Sequence, residues 1–140
     1  MSKCLLLADD NALVRRSVRN LLTTRDDWKL CEDATDGSEA VERVRAAHPD
    51  LAILDYSMPR MNGLEAARRI ADSCPQTLVL LISAHDPTAM LQQLMEAGVR
   101  GFVSKYSMGS HLIPAIEALL EGRTYFETPL SLAARTPAVG

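Results

Sequence analysis

The sequence predicts an α/β domain in which helices cover both faces of a parallel β-sheet. Five short apolar runs, typical of strands buried on both faces, alternate with five helical patterns at intervals of about 25 residues. Four of the five runs are followed by an acidic, hydroxyl or basic side chain. Because β-α-β connections are right-handed, five such strands favour the flavodoxin-like, doubly wound parallel sheet with strand order 2-1-3-4-5 and five helices.

The strands are predicted from apolar runs and the helices from apolar residues at helical spacing. The second strand alternates with polar residues, so it is expected at an edge of the sheet. Asp10 or Asn11 is expected to cap the first helix, Asp86 and Pro87 to start the fourth, and Pro114 to distort the start of the fifth. The predicted strands cover residues 4–8, 29–34, 51–54, 77–82 and 100–104, and the predicted helices cover residues 11–25, 38–47, 63–73, 86–97 and 108–121.

Length and composition indicate one compact domain with a tail. The 140 residues are 47% hydrophobic, which is enough for a substantial core, and we predict that the domain covers residues 1–125. Residues 126–140 show little periodicity and are interpreted as a C-terminal tail or the start of an interdomain linker.

Charge and hydropathy exclude two classes of partner. With a net charge of −3 and no run of Lys or Arg, the chain lacks the basic surface that direct nucleic-acid binding requires. It shows no signal peptide and no apolar stretch of about 20 residues, so we expect a cytoplasmic protein that does not contact a membrane. Cys4, Cys31 and Cys74 are odd in number and lack CxxC spacing. We therefore expect neither a disulfide nor a zinc site, with Cys4 and Cys31 acting as small apolar side chains inside strands.

Polar side chains follow four of the predicted strands. Asp9 and Asp10 follow the first, Asp55 the third, Ser83 the fourth and Lys105 the fifth. Because the carboxyl ends of parallel strands meet at one edge of the sheet, these side chains are expected to lie together. Three carboxylates repel one another unless a cation intervenes, and an oxygen-only cluster suits Mg²⁺. The pattern therefore predicts a magnesium site at this edge.

The same cluster is suited to hold a phosphoryl group on an aspartate. Asp55 would be the nucleophile, Lys105 a point charge for the phosphoryl oxygens and Ser83 a hydroxyl donor. Each residue alone has an ordinary explanation: Asp9 and Asp10 as a helix cap, Ser83 as a loop hydroxyl, Lys105 as a solvated charge. Their joint appearance at successive strand ends favours the functional site.

The chain resembles the response regulator receiver (CheY-like) domain of two-component signalling over about residues 3–125. Four segments carry the resemblance, namely Leu-Ala-Asp-Asp at 7–10, Leu-Asp-Tyr-Ser-Met-Pro-Arg-Met-Asn-Gly at 54–63, Ile-Ser-Ala at 82–84 and Gly-Phe-Val-Ser-Lys at 101–105. The resemblance implies that the phosphohistidine of a sensor histidine kinase donates its phosphoryl group to Asp55. It also implies that Asp10, Asp55 and the backbone carbonyl of Ser57 bind Mg²⁺ (or Mn²⁺), while Asp9 holds a metal-bound water.

The resemblance further implies a conformational switch. Ser83 would move toward the phosphoryl group while Phe102 rotates inward, reshaping the face formed by helix 4, strand 5 and helix 5. Ala84 matches the small residue that admits the phosphoryl group, and Ser57 and His85 match the positions that tune dephosphorylation. Apolar stripes on helices 4 and 5 are interpreted first as core, and alternatively as a homodimer surface on helices 4 and 5 or 1 and 5.

Two features resemble the NarL/FixJ (LuxR-type) branch of the family, namely the absence of proline after Lys105 and the ending Ala-Ile-Glu-Ala-Leu-Leu-Glu-Gly-Arg-Thr-Tyr-Phe at 115–126. Tyr106 follows Lys105 where proline is common, so the cis peptide bond usual at that position is left open. That branch normally continues into a helix-turn-helix domain, so any DNA binding is expected from residues outside this chain. A constitutive interaction module of the same fold is the alternative. A haloacid-dehalogenase-like phosphatase is disfavoured because Ser57 stands where that family needs a second Asp, so we do not expect an enzyme.

Overall fold

The computed structural model describes residues 2–127 and contains a six-stranded sheet whose strand pairs are all parallel. The strand order is β2-β1-β3-β4-β5-β6. The strands are β1 (Lys3–Ala8), β2 (Trp28–Ala34), β3 (Leu51–Asp55), β4 (Leu78–Ser83), β5 (Val99–Ser104) and β6 (Tyr125–Phe126). The helices are α1 (Ala12–Leu22), α2 (Gly37–Ala47), α3 (Gly63–Ser73), α4 (Leu91–Glu96) and α5 (Met108–Leu120).

The predicted doubly wound topology is confirmed, with β2 at one edge as expected. The sequence prediction stopped at five strands, and β6 is a correction. It pairs with β5 through Gly101–Tyr125 and Phe102–Phe126. Two residues are too few to show the alternation from which a strand is predicted, so only the pairing reveals this one. The predicted tail at 126–140 therefore begins inside the fold, and its residues 128–140 lie outside the described part of the chain.

Alternate residues of the central strands pack into two cores, one on each face of the sheet. Leu6 of β1 belongs to the core covered by α2, α3 and α4, whereas Leu5 belongs to the core covered by α1 and α5. All three residues of this strand from Leu5 to Leu7 are fully buried. Burial on both faces explains why the strands appear in the sequence as unbroken apolar runs. Among residues 2–127, no helix is long and apolar enough to cross a membrane.

Two predicted helices are shorter than expected. Helix α1 ends at Leu22 because the Thr23 and Thr24 hydroxyls donate to backbone carbonyls one turn back. Helix α4 begins at Leu91, after a 3₁₀ turn over Thr88–Met90, and Asp86 Oδ1 accepts the Thr88 N–H at 3.0 Å and the Thr88 hydroxyl at 2.6 Å. In α5 a 3₁₀ turn precedes the helix, and Pro114 lies inside the helix, later than the distorted first turn that was predicted.

The expectation for two of the cysteines is wrong. Cys4 and Cys31 form a disulfide between β1 and β2, with their Cα atoms 5.8 Å apart. The register of this pair shifts between Leu5 and Leu6, which face Leu30 and Glu32, so Cys31 is the extra residue of a bulge. A bulge changes where a side chain points, and sequence periodicity does not reveal it. Cys74 is a buried free thiol, as expected.

Candidate functional site

The carboxyl ends of β1, β3 and β5 bring the predicted charged residues together. One carboxylate oxygen from each of Asp9, Asp10 and Asp55 lies within 4.8 Å of the other two. Lys105 reaches the same cluster from the end of β5, with its Nζ 3.0 Å from Asp9 Oδ2 and 3.1 Å from Asp55 Oδ2. Asp9, Asp10, Asp55 and Lys105 thus lie together, as their positions at the strand ends predicted.

Local hydrogen bonds at the end of β1 orient the first two acids. Asn11, not Asp10, caps α1, because its side-chain oxygen accepts from Leu13 and Val14. Asp9 Oδ1 accepts the Asn11 N–H at 2.8 Å, which turns its other oxygen toward Lys105. Because Asn11 supplies the cap, the explanation of Asp9 and Asp10 as capping residues is not needed.

The site places two buried acids against one cation. The side chains of Asp9 and Asp55 are 0% and 3% exposed, whereas Asp10 is exposed. Burial, and then the negative charge of Asp9, raise the pKa of Asp55 above its usual range, although Lys105 and the Ser57 N–H act in the opposite direction. Burial lowers the pKa of Lys105, but its contacts with Asp9 and Asp55 outweigh that effect and raise the pKa above its usual value. Asp55 is thus a carboxylate whose negative charge is under-compensated.

The acid cluster fits a small divalent cation. Asp9 Oδ2 is buried, and its contact with Lys105 Nζ at 3.0 Å leaves a lone pair available. The donors are oxygens only, and the exposed Asp10 opens the cluster to water, which suits a hard cation that keeps part of its hydration shell. Ser57 lies next to the cluster, and its N–H donates to Asp55 Oδ1 at 3.2 Å.

The loop between β3 and α3 is held from the neighbouring β2–α2 corner by residues that the sequence analysis did not single out. Arg60 adopts a left-handed backbone with φ of 67° and its Nη1 lies 2.7 Å from Asp36 Oδ2. Gly37 packs so closely that a Cβ there would lie 2.1 Å from the Met61 carbonyl oxygen. The Asp-Gly dipeptide at 36–37 signals a turn, but nothing in the sequence indicates a contact with a loop 24 residues away.

The predicted switch residues lie beside an apolar cavity at the ends of β4 and β5. Ser83 is buried, and its Oγ accepts the His85 N–H at 3.0 Å. Ser83 and the buried Phe102 both line the cavity, which has a volume of about 200 Å³ and also contacts Tyr56 and Met90. Ala84 and His85 are exposed, and His85 also lines the cavity. Ser83 is in register with Ser104, the residue before Lys105, so the cavity adjoins the charged cluster.

Comparison with protein families gives a match over most of the described chain. The family model for the response regulator receiver domain matches residues 5–117. This range includes the carboxyl ends of β1, β3, β4 and β5.

One curated protein and two solved structures show what the chain is similar to. The oxygen regulatory protein NreC of Staphylococcus epidermidis is 34% identical over 91% of this chain, which covers 59% of that protein. A LuxR-family two-component response regulator from Aurantimonas is 31% identical, with a TM-score of 0.87 over 95% of this chain and 94% of that one. The signal receiver domain assigned to NarL of Mycobacterium tuberculosis is 34% identical, with a TM-score of 0.82 over 87% of this chain and 98% of that one. The chain thus spans about three-fifths of the curated relative.

Proposed function

Since the chain belongs to the response regulator receiver family, among the NarL/LuxR-type regulators, we propose that Asp55 accepts a phosphoryl group from the phosphohistidine of a sensor histidine kinase. The observation that carries the proposal is the position of Lys105, which lies 3.0 Å and 3.1 Å from two buried carboxylates. A cation held there attracts the oxygens of an incoming phosphoryl group to the face of Asp55.

The transfer is a displacement at phosphorus. An Asp55 carboxylate oxygen forms the new O–P bond, the P–N bond to the donor imidazole breaks, and the imidazole nitrogen leaves with the electron pair. Burial favours the reaction because an under-compensated carboxylate is a poorly solvated nucleophile. Lys105 is already desolvated and placed, so little reorganisation is needed when charge develops on the phosphoryl oxygens.

Mg²⁺ (or Mn²⁺) is the proposed cofactor. Asp10, Asp55 and the Ser57 backbone carbonyl would hold the cation, and Asp9 would hold a water bound to it. Such a cation neutralises charge on the phosphoryl oxygens. Its presence would also relieve the repulsion among the three carboxylates.

The cavity beside the site offers a path for a conformational response. Ser83 is proposed to move toward the phosphoryl group, with Ala84 leaving room for the phosphoryl oxygens. Phe102 already lies buried against the cavity that it and Ser83 line, so the predicted inward rotation corresponds to the position that the structure contains. The movement of Ser83 would change the surface of α4, β5 and α5. Ser57 and His85 are exposed next to the site and are proposed to set how readily water attacks the acyl phosphate.

The output is proposed to be control of transcription, through dimerisation or through residues beyond this chain. The apolar stripes on α4 and α5 are mostly core: Leu94 and Leu119 are 1% exposed. Met95 of α4 is an apolar side chain that is 56% exposed, so it is available for a dimer surface on α4. A dimer surface on α1 and α5 is the alternative. We propose that the domain formed by this chain binds no nucleic acid directly. It is proposed to act in the cytoplasm as a signalling domain that does not turn over a substrate. Met95→Glu should weaken phosphorylation-dependent association if α4 forms the dimer.

The proposal is tested by intact-mass analysis after incubation with acetyl phosphate and Mg²⁺. We expect an alkali-labile gain of one phosphoryl group that is absent without Mg²⁺ and absent in Asp55→Asn. A folded protein that gains no phosphoryl group and binds no Mg²⁺ by calorimetry would instead be a constitutive interaction module of the same fold.

A further inference from the structure

Lys105 is carried by a short turn between β5 and α5. The turn covers Lys105–Ser107, and Ser104 precedes it. The tyrosine after the lysine, Tyr106, is 84% exposed and contributes no packing that would hold the turn in place. Its N–H donates to Ser104 Oγ at 3.1 Å, a contact within the turn itself. The direction of the lysine must therefore be set from outside the turn.

One buried carboxylate, that of Glu127, contacts the turn on both sides of the lysine. Its Oε1 accepts the Ser104 N–H at 3.0 Å, and its Oε2 accepts the Ser107 hydroxyl at 2.6 Å. The Glu127 side chain is 6% exposed, and His111 Nε2 lies 3.6 Å from Oε2. A carboxylate is rarely buried unless hydrogen bonds satisfy it, and here the satisfying donors flank Lys105.

The position of Glu127 depends on β6, the strand that the sequence analysis missed. Its backbone N–H donates to the Phe102 carbonyl at 2.8 Å, directly after the pairing of Phe102 with Phe126. The glutamate is thus attached to β5 through its backbone and to the lysine turn through its side chain. It is also the last described residue before the C-terminal segment.

We propose that Glu127 is a positioning residue for Lys105: by holding Ser104 and Ser107 it fixes the turn that directs the lysine between Asp9 and Asp55. The proposal rests on the proposed phosphorylation of Asp55. Its consequence is that β6 and the phosphoryl site share one structural element. Displacing β6 would alter the phosphorylation rate, and a change at Lys105 would be transmitted to β6.

The physical reason is preorganisation. Without the Glu127 carboxylate, the Ser104 N–H and the Ser107 hydroxyl lose their buried acceptor, and the turn can adopt several arrangements. Lys105 then spends part of its time away from the two carboxylates. Its positive charge is then not always in position when the phosphoryl group arrives, so the transfer is slower. The acid cluster of Asp9, Asp10 and Asp55 makes no contact with Glu127, and a less tightly placed Lys105 competes less with a bound cation. The affinity for Mg²⁺ should therefore be no lower than in the wild type.

The test compares three variants of the full 140-residue chain, using acetyl phosphate as the phosphoryl donor. Glu127→Ala should lower the rate of Asp55 phosphorylation by roughly tenfold, since small misplacements of a catalytic group have effects of this size or larger. Glu127→Gln retains an oxygen for the Ser104 N–H and can donate to Ser107, so it should restore most of the rate. Glu121→Ala is the matched control, because this exposed glutamate pairs with Arg123 at the surface, and its rate should equal that of the wild type.

Two further measurements separate positioning from loss of the fold. Calorimetry should give a Mg²⁺ affinity for Glu127→Ala that is no lower than that of the wild type. Ser107→Ala, which removes one of the two contacts without removing a buried charge, should lower the phosphorylation rate by less than Glu127→Ala does.

A Glu127→Ala variant that is phosphorylated as fast as Glu121→Ala would overturn the proposal. So would a variant that loses Mg²⁺ binding together with phosphorylation, or a Ser107→Ala variant with an unchanged rate when Glu127→Ala does not fold. If the wild type itself gains no phosphoryl group, the proposed function has failed, and that result is distinct from any difference among the variants.

Discussion

Two buried aspartates at the same edge of the sheet have pKa values that are shifted in opposite directions. Asp36 and Asp55 are 5% and 2% exposed. The pKa of Asp36 is lowered, first by the Glu39 N–H that its side chain accepts at 2.8 Å and then by the Arg60 guanidinium, which together outweigh burial. The pKa of Asp55 is raised, because burial and the charge of Asp9 outweigh Lys105.

The difference shows that partners, rather than burial, set the character of a buried acid. Asp36 accepts a helix N–H and an arginine, so its charge is satisfied and its role is to hold α2. Asp55 shares Lys105 with a second acid, so its charge is not fully satisfied. A strongly perturbed group in a charged cluster is a candidate functional residue, whereas a satisfied one is typically structural.

The satisfied acid also supports the unsatisfied one. Arg60, in its left-handed conformation, lies on the loop that follows Asp55, and it reaches across to Asp36. Gly37 contacts the same loop at Met61. The β2–α2 corner therefore helps fix the backbone that contains Ser57.

The largest effect is expected from Gly37→Ala. The added Cβ would lie 2.1 Å from the Met61 carbonyl oxygen, which the backbone cannot avoid without moving the loop. We expect the free energy of unfolding, measured by urea denaturation, to fall by about 3 kcal/mol. Gly109→Ala is the matched control, since nothing lies within 4 Å of its Cβ, and it should leave stability unchanged or raise it by about 0.5 kcal/mol. Equal effects in the two variants would contradict the close approach.

Asp36→Ala should lower the free energy of unfolding by about 1.5 kcal/mol, the usual effect of removing a helix N-cap. Asp36→Asn keeps the cap and should lower it less. Because the pKa of Asp36 is lowered on folding, its charge stabilises the fold above the ordinary aspartate range, and this contribution is lost as pH falls through the lowered pKa. Urea titrations at neutral and acidic pH should therefore show the difference between wild type and Asp36→Asn shrinking in acid.

Asp55→Asn should change stability in the direction opposite to Asp36→Ala. It should raise the free energy of unfolding by about 1 kcal/mol in the absence of Mg²⁺. A pKa raised on folding gives stability that is present below the ordinary aspartate range and lost as pH rises through the raised pKa. The difference in the free energy of unfolding between Asp55→Asn and the wild type should therefore be fully present at neutral pH and disappear in acid. Added Mg²⁺ should narrow the gap by stabilising the wild type alone. A variant that is less stable than the wild type at neutral pH would show that Lys105 compensates Asp55 fully.

The smallest effect is expected from an exposed acid. Glu65→Gln removes ion pairs with Arg68 and Arg69, whose nitrogens lie 3.7 Å and 3.1 Å from a side chain that is 43% exposed. The change in the free energy of unfolding should not exceed about 0.5 kcal/mol, and added salt should reduce it further. Thermal unfolding at low and high salt measures both. If Glu65→Gln lowered the free energy of unfolding as much as Asp36→Ala, exposed ion pairs such as those of Glu65 would contribute as much stability as the ion pair of the buried Asp36 with Arg60.

The sequence alone determined the sheet order of the five long strands and predicted the group of Asp9, Asp10, Asp55 and Lys105. The physical reason is that a strand buried on both faces must be apolar throughout, so its end is marked by the first polar residue. In a parallel sheet those ends share one edge. The sheet topology therefore predicts that the charged residues lie close together, and they do so in the structure.

Only the tertiary structure decided the contacts that depend on exact register or distant pairing. A bulge, which leaves no periodic trace, brings Cys31 to Cys4. Arg60 meets Asp36 because two separate loops converge, and Glu127 reaches the lysine turn because a two-residue strand pairs with β5. Local patterns in a sequence record which face of an element is buried, but they do not record which distant backbone lies against it, and that information appears only when the chain is folded.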